Sequence, residues 1–584
     1  MAKKDYSLLS REDLVSLLLK YDDKKKYGIV WDEERVPEKV VTDCQTHLPV
    51  LTEVKDKEII TNPTELTHLL IEGDNYHTLS VLNYTHQNKI DLIYIDPPYN
   101  TGNKDFIYND KYVDTVDKYR HSKWLNFMNK RLMLAKELLT DNGVIFISID
   151  DNEMAQLKML CDKVFGEQNF IANLPRITKA SGKTTNKIAL NHDYVLVYTK
   201  DKLLASIEGF DHNDKGFKYK DEFVNERGLY KLNQTLDYDS LQYSPSLDYE
   251  IMLYGEKLIP GTDYNLYLER KNGNYKRADW AWRWSKNLYE FGLENGFIVL
   301  KKTKTGFRIY TKTYLNAKIS KDKNGKYQIE YNQRKKPITS LDFTDNIYSN
   351  DNAKKELDNL VKQSIFDYPK PKSLIKTLIK SNPSKNITIL DFFAGSGTTA
   401  QAVLELNKED GGNRQFILAT NNENEISNIV TFPRTKNVMQ GYENIKGEKI
   451  EGLGNNLKYF KTSFVENVRN RDQVRMDVTR RCTEMLCVKE GIYDLYKEGT
   501  DWKVYNYKEN YLAIYYDFSG LRLSKLRDEM NVISGNKVLY CFTSFAKLDS
   551  RDFADWNNIR LEAVPEPILK VYIKIFKENV TNKG

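Results

Sequence analysis

Two stretches in which strands and helices alternate, separated by a long irregular region, constrain the fold of this chain most. From about residue 66 to 200, short apolar runs such as DLIYID, VIFISID and DYVLVYTK alternate with helix-length segments. The alternation resumes after residue 365, in PKPKSLIKTLIKSNPSKNITILDFF and QFILATN. Strands joined by helices of ten or more residues form parallel sheets that are covered on both faces. We therefore predict one α/β domain with a doubly wound, mostly parallel sheet, which the two stretches complete together.

The rest of the chain predicts further units around this sheet. Its 584 residues exceed what one hydrophobic core serves, and the length suggests three or four units. In the interrupting region Lys/Arg and aromatic clusters replace the alternation, as in KRADWAWRWSK and KKTKTGFRIYTK. The predicted order is an N-terminal arm (1–65), the first part of the sheet domain (66–200), an inserted domain (201–365), the second part of the sheet domain (366–464) and a C-terminal α+β domain (465–584).

Composition excludes several classes of protein. No stretch approaches the roughly 18 consecutive apolar residues of a membrane span, and the N-terminal residues carry too much charge for a secretory signal. We therefore expect a cytoplasmic protein with no membrane association. The five cysteines show no zinc-ligand spacing, so no metal site is expected. The net charge of +6 permits nucleic-acid binding without requiring it.

The segment Asp96-Pro97-Pro98-Tyr99 directly follows the apolar run DLIYI, at the sheet edge where ligands of open α/β sheets collect. Two prolines stiffen the loop and remove two backbone donors. An exocyclic amine on a planar base has two N–H groups. Asp96 and the Pro97 carbonyl could accept hydrogen bonds from both while Tyr99 stacks on the ring of the base. Holding the amine in this way turns its lone pair toward an electrophile, which is catalysis by positioning and electrostatics.

A glycine-rich turn follows the strand ITILDFF and begins a helix. Glycines allow a ligand to approach the backbone, and helix N–H groups favour a carboxylate or phosphate. The turn has neither the Lys-Ser/Thr of a nucleoside-triphosphate loop nor the three-glycine spacing of a dinucleotide fingerprint. A small zwitterionic nucleoside such as S-adenosylmethionine remains. The candidate cofactor-binding residues of this turn are Asp391, Phe392, Ala394, Gly395, Ser396, Gly397 and Thr398.

The two motifs together resemble the paired signature of DNA amino-methyltransferases, and their order resembles the permuted, β-class arrangement. KYGIVWDEERVPEKV, LLIEGDNYHTLSVL, IYIDPPYNTGNKDFIYNDKY, FDYPKPKSLI and DFFAGSGTTA more closely resemble the modification (Mod) subunits of type III restriction-modification systems. This resemblance covers most of the chain. It implies an S-adenosylmethionine-dependent methyltransferase fold and methyl transfer to adenine N6 in duplex DNA after base flipping. Asp at the first position of the tetrad is typical of adenine enzymes, whereas Ser is usual for cytosine N4.

The resemblance also implies roles for particular residues. Asp74, in a Gly-Asp pair, is expected beside the cofactor's adenine, and Lys370 near its methionine end. Related enzymes place a ribose-binding acid after the strand QFILATN, where this chain has Thr420 and Asn421, so Glu423 is the candidate. The inserted domain is expected to recognise the DNA target. Its candidate DNA contacts are Arg277, Arg283, Lys301, Lys302, Lys304 and Arg308.

The resemblance further implies a homodimer and an ATP-dependent restriction partner with helicase and nuclease activity. A second aromatic near the flipped base is expected, and Phe106, Tyr108 and the segment before His192 all stay open as candidates. Three alternatives to the main hypothesis also stay open. They are a solitary adenine methyltransferase without a restriction partner, a cytosine-N4 or RNA amino-methyltransferase, and a catalytically inactive DNA-binding specificity subunit.

Overall fold

The structure is a computed structural model, and it describes most of the chain. The described residues are 10–16, 31, 37–103, 105–179, 188–211, 216–303, 306–332, 335–361, 366–468, 470–517, 523–543, 545 and 547–581. They divide into two compact units, residues 1–207 with 339–584 as the first and residues 208–338 as the second.

A nine-stranded sheet forms the centre of the first unit. Its five inner pairings are parallel, whereas the pairings at both edges are antiparallel. The α/β prediction of a mostly parallel sheet is confirmed, because strands from both predicted stretches alternate in it. From edge to edge the strands are His47–Glu53, Asn456–Glu466, Thr67–Glu72, Gln415–Thr420, Thr388–Asp391, Ile90–Ile95, Leu139–Ile149, His192–Thr199 and Phe170–Ile177.

The strands are apolar because both faces of the sheet are covered. In the Ile90–Ile95 strand, Ile93 and Ile95 pack into one core cluster, while Leu92 and Tyr94, which point the other way, are buried as well. None of the described helices is long and apolar enough to cross a membrane. The helices of the first unit are residues 11–16, Lys39–Asp43, Asn75–Thr85, Arg120–Leu138, Met154–Phe165, Asn350–Leu360, Lys372–Lys380, Thr398–Asp410, Phe432–Gln440, Arg471–Arg481, Thr483–Glu490, Leu523–Val532 and Glu566–Thr581.

The predicted N-terminal arm contributes to the sheet, which the sequence did not indicate. Its residues His47–Glu53 form an edge strand that pairs antiparallel with Asn456–Glu466. Pro49 lies within this strand, where an edge position tolerates the missing N–H group. The expectation of a separate arm over residues 1–65 is therefore corrected for this segment.

The C-terminal residues belong to the first unit and share its core. They build a five-stranded sheet of Asp494–Glu498, Trp502–Tyr507, Asn510–Tyr515, Asn536–Thr543 and Ile559–Pro565. Met485 and Ile568 pack into the same hydrophobic cluster as Leu79 and Leu82 of the Asn75–Thr85 helix. Because these apolar side chains bury one another, residues 465–584 do not separate as the independent domain that the sequence suggested.

The second unit, residues 208–338, is shorter in sequence than the predicted insertion, residues 201–365. It has its own apolar clusters, one around Trp282 and Ile309 and one around Tyr314. Its first and last strands pair with each other, so the chain enters and leaves at one place. Its strands are Phe210–Asp211, Tyr230–Thr235, Asp237–Ser240, Ile251–Leu253, Glu256–Leu258, Asp279–Trp282, Ile298–Thr303, Gly306–Tyr314, Ala317–Lys321, Tyr327–Tyr331 and Lys335–Lys336, and its helices are Val224–Arg227, Tyr264–Lys271 and Lys286–Glu294.

Candidate active site

The two sequence motifs lie side by side at the carboxyl edge of the central sheet. The strands that precede them, Ile90–Ile95 and Thr388–Asp391, are parallel neighbours, with Leu92 opposite Ile389. Asp96 and Gly395 consequently line one cavity of about 1120 Å³. This volume lies slightly above the usual range for ligand pockets, so the cavity can hold more than one small group.

Hydrogen bonds with neighbouring side chains hold the Asp96-Pro97-Pro98-Tyr99 loop in place. The Trp124 indole N–H donates to the Pro98 carbonyl at 2.7 Å. The Tyr99 hydroxyl donates to Asp193 at 3.2 Å, and its half-buried ring lines the cavity. Burial and the neighbouring carboxylates of Asp96 and Asp193 raise the pKa of Tyr99 well above its usual value. Tyr99 is therefore a neutral aromatic surface at physiological pH.

Asp193 and Arg176 form the support of Tyr99, and sequence reasoning missed both. They face each other across the antiparallel pairing of the edge strand Phe170–Ile177 with its neighbour His192–Thr199, and the Arg176 Nε donates to Asp193 at 2.7 Å. Arg176 also donates to the Tyr348 carbonyl at 2.7 Å and to the Asn350 side chain at 2.9 Å. A fully buried charged side chain is stable only when it is paired with an opposite charge, as Arg176 is with Asp193. The loop is thus fixed to the segment that follows the second unit in sequence.

A second support lies directly behind Tyr99. Asn100 has a φ of +57°, a left-handed conformation that Asn tolerates better than most residues. Its side-chain amide donates to Glu153 at 2.5 Å, and Glu153 also lies 2.6 Å from the His121 Nδ1. Burial raises the pKa of Glu153, while its hydrogen bonds oppose the rise. The hydrogen bond between the buried side chains of Asn100 and Glu153 holds the backbone where it turns after Tyr99.

Lys370 contacts Asp96 directly. Its Nζ lies 2.7 Å and 2.6 Å from the two carboxylate oxygens, and 4.9 Å from the centroid of the Tyr99 ring. The Lys370 side chain is 8% exposed, compared with 24% for Asp96. The sequence predicted Lys370 near the cofactor, and it does line the cavity; its contact with Asp96 was not anticipated.

The glycine turn presents only part of its residues to the cavity. Phe392 and Gly395 line it, together with Phe393 and Phe366, which the sequence did not single out. Gly395 has a φ of +49°, and a Cβ placed on it would project to 3.5 Å from the Phe366 ring. The turn therefore presents backbone atoms and aromatic rings to the cavity. A side chain at position 395 would occupy part of the space beside Phe366.

The other predicted residues of the turn support it from behind. Buried Arg434 donates to the hydroxyls of Ser396 at 3.0 Å and Thr398 at 2.8 Å. Asp391 accepts from the Phe393 N–H at 3.1 Å and from the Thr399 hydroxyl at 2.5 Å. Burial raises the pKa of Asp391 to about 7. Five predicted cofactor contacts are not among the described residues that line the cavity, namely Asp391, Ala394, Ser396, Gly397 and Thr398.

Polar side chains line the part of the cavity beside the turn. Asp74 caps the Asn75–Thr85 helix, accepting from the Tyr76 N–H at 2.7 Å, and pairs with buried Arg131 at 3.2 Å. Thr420 is the last residue of the neighbouring strand Gln415–Thr420, Asn421 and Glu423 follow it, and all three line the cavity. The predicted residues Asp74 and Glu423 therefore share one cavity with Asp96.

The structure narrows the choice of a second aromatic. Phe106 and Tyr108 are buried; Phe106 lines the cavity, whereas Tyr108, which accepts a hydrogen bond from Asn126 at 2.7 Å, is not among the described residues that line it. Phe106 packs edge-on against Phe127, with ring centroids 5.2 Å apart. Tyr368, which the sequence analysis did not consider, lines the cavity and is 75% exposed. It is an aromatic ring of this cavity that a ligand can cover.

All six predicted DNA contacts fall within the sequence range of the second unit, residues 208–338. Arg277, Arg283, Lys301 and Lys302 are exposed, and Lys304 lies outside the described residues. Arg308 is half-buried, 3.9 Å from Asp237, so part of its charge is already compensated within the unit.

Comparison with known proteins points to one family. The model of a family described as DNA methylase matches residues 90–432. The chain is 34% identical over 419 residues to the Mod subunit of the EcoPI type III restriction-modification enzyme from Escherichia phage P1, covering 65% of this chain and 60% of that protein. It is 33% identical over 385 residues to the StyLTI Mod subunit of Salmonella typhimurium, covering 60% of this chain and 52% of the relative.

A third relative is covered almost completely. The type II methyltransferase M.KpnI of Klebsiella pneumoniae is 34% identical over 402 residues, which is 65% of this chain and 89% of the relative. The chain thus spans between half and two thirds of the length of the two Mod subunits. The matched family segment includes both motifs that meet in the cavity.

Proposed function

The chain belongs to the DNA methylase family, and on that basis we propose that it transfers a methyl group from S-adenosylmethionine to N6 of adenine in double-stranded DNA. One observation carries the proposal: Asp96, Tyr99 and Gly395 line a single cavity, so an amine held by the first two lies near a ligand seated on the third. Methyl transfer needs donor and acceptor in such proximity.

In the proposed complex, the extruded adenine stacks on Tyr99 while its amine donates to Asp96 and to the Pro97 carbonyl. These acceptors hold both N–H groups in one geometry, which localises the nitrogen lone pair. Because Tyr99 stays neutral, its contribution is stacking rather than proton transfer. Tyr368, exposed in the same cavity, is the proposed second aromatic for the flipped base.

The cavity residues fit S-adenosylmethionine. Phe366 and Phe393, which are partly exposed, offer apolar faces for an adenine, whereas the predicted Phe392 is fully buried; the open side of Gly395 leaves room for a backbone contact. Glu423 and Asn421 can accept from ribose hydroxyls, and Lys370 can pair with a carboxylate. When bound, S-adenosylmethionine supplies an electrophilic methyl group on a sulfonium.

We further propose that residues 208–338 recognise the DNA target, that the chain dimerises, and that it works with a restriction subunit. The similarity to two type III Mod subunits supports the partner. The equal identity to M.KpnI, a type II methyltransferase, supports the alternative of an enzyme without such a partner. Copurification with and without the restriction subunit, with the mass measured by light scattering, distinguishes the two.

The test is methyl transfer by the purified protein from labelled S-adenosylmethionine to genomic DNA, followed by nucleoside analysis. We expect N6-methyladenine as the product. Asp96→Asn should lower the rate about 100-fold or more, since a preorganised acceptor is lost. Asp110→Asn is the matched control, because Asp110 lines the same cavity but is far more exposed and pairs with Lys39. N4-methylcytosine as the product, or an unchanged rate in Asp96→Asn, would contradict the proposal.

A further inference from the structure

The contact between Lys370 and Asp96 occupies the place proposed for the target amine. The Lys370 Nζ lies within 2.7 Å of both Asp96 oxygens, and it lies 4.9 Å from the centroid of the Tyr99 ring. These are the acceptor and the stacking surface that the proposed function assigns to the flipped adenine. One ammonium therefore already uses both, and a base cannot take them until that ammonium leaves.

Only the side chain of Lys370 needs to move. Its carbonyl accepts from the Thr398 hydroxyl at 3.2 Å, and the next residue, Pro371, precedes the Lys372–Lys380 helix. The Lys370 backbone is thus held by a hydrogen bond from Thr398, the first residue of the Thr398–Asp410 helix. From this anchor the side chain reaches across the cavity to Asp96, and rotation about its own bonds can release it.

The ammonium needs another anion when it leaves, because the Lys370 side chain is nearly buried and an unpaired buried charge is costly. The cofactor proposed for the glycine turn carries a carboxylate. Exchange of Asp96 for that carboxylate keeps Lys370 paired, and it frees both Asp96 oxygens for the adenine amine.

We infer that Lys370 is a positioning residue that blocks Asp96 until the carboxylate of the bound cofactor draws the ammonium away. This inference rests on the proposed function. It makes binding of the cofactor and capture of the target base cooperative, and cooperativity of this kind is reciprocal. A nucleoside that binds without a carboxylate should leave the block in place.

The test is DNA affinity, measured by fluorescence anisotropy on a duplex that carries the methylated sequence. S-adenosylhomocysteine, which has the carboxylate and no methyl group to transfer, should tighten binding by the wild-type protein about fivefold or more. Methylthioadenosine, which lacks the carboxylate, should not. Both nucleosides are used at saturation, with their affinities measured by calorimetry.

Two controls isolate the proposed contact. A duplex with unsubstituted purine at the target position has no amine for Asp96, so S-adenosylhomocysteine should not tighten its binding. In Lys370→Met the block is absent, and the nucleoside effect on adenine DNA should disappear.

Equal tightening by methylthioadenosine, or the full effect in Lys370→Met, would overturn the inference. The ligand comparison uses wild-type protein, so it decides the question even when the variant does not fold. Methyl transfer to the same duplex is assayed in parallel. Absence of N6-methyladenine would refute the proposed function, whereas methylation without cooperativity would refute only the role of Lys370.

Discussion

At the scale of single residues, burial and the hydrogen bond to Asp193 determine which part of the Tyr99 side chain a ligand can use. Its hydroxyl donates to Asp193, which a buried Arg176 already neutralises, and its pKa is raised by burial. A tyrosine in this environment does not ionise at neutral pH. What remains available to a ligand is the face of the ring.

Tyr99→Phe and Tyr99→Ala separate these contributions. The phenylalanine variant loses one hydrogen bond, worth about 1 kcal/mol of stability, but keeps the ring, so methyl transfer should continue. The alanine variant loses stacking worth about 1–3 kcal/mol per base and should bind and methylate target DNA much more weakly. Comparison of initial rates and thermal midpoints tests this, and equal activity of the two variants would argue against stacking.

Asp391 gives a pH-dependent signature at the same scale. Burial raises its pKa to about 7, so between roughly pH 4 and 7 the folded protein holds a proton that the unfolded chain has released. Its contribution to stability therefore falls as the pH rises through that window, by at most about 1.4 kcal/mol per pH unit. Asp391→Asn stays neutral, so its melting temperature relative to wild type should rise from pH 5 to pH 8. A difference that does not change with pH would contradict the raised pKa.

Sequence patterns reveal the residues that line the cavity more readily than those that support them. Asp96 and Tyr99 stand out because a strand and two prolines frame them. Arg176 and Asp193 lie on different strands, and only their antiparallel register brings them together. Lys370 is separated from Asp96 by the whole inserted unit, so their contact has no signature in local sequence.

At the scale of elements, the glycine turn depends on a left-handed residue that faces the cavity. Gly395 has a φ of +49°, and its missing Cβ leaves open space beside Phe366. Most other residues there cost about 1–2 kcal/mol for the conformation, and Asn and Asp cost less. A carboxylate at this position also repels the carboxylate of the proposed cofactor.

Gly395→Asn and Gly395→Asp are therefore a matched pair. The two side chains have the same size and both tolerate the left-handed backbone, but only the aspartate adds charge, so S-adenosylhomocysteine affinity should fall further in Gly395→Asp. Calorimetry at low and moderate salt measures the difference, which salt should reduce. If the two variants bind equally well, the carboxylate end of the ligand lies elsewhere.

The inner strands were predictable because buried parallel strands read as apolar runs bounded by turns and helices. The edge strand His47–Glu53 was not predictable, because it contains Pro49, and a proline is equally typical of an irregular connection. Nor could the sequence show that the C-terminal helices pack on the Asn75–Thr85 helix, since that packing depends on tertiary contacts among apolar residues common to any core.

At the scale of the whole molecule, the residues that line the cavity all belong to the first unit. The second unit has an internal core, and its entry and exit strands pair, with backbones about 5 Å apart. Replacement of residues 208–338 by a short Gly-Ser linker should therefore leave the first unit folded. The variant should bind S-adenosylhomocysteine with unchanged affinity but lose sequence-specific methylation. Methylation of the same sequence by the shortened protein would refute the recognition role of the second unit.

The most direct test of Asp96-dependent adenine methylation is a genome-wide map of methylated bases in cells that express this chain and in cells that express its Asp96→Asn variant. We expect N6-methyladenine at one short sequence in the first cells and none there in the second. Identical maps from both, or a modified base other than adenine, would contradict the proposed function.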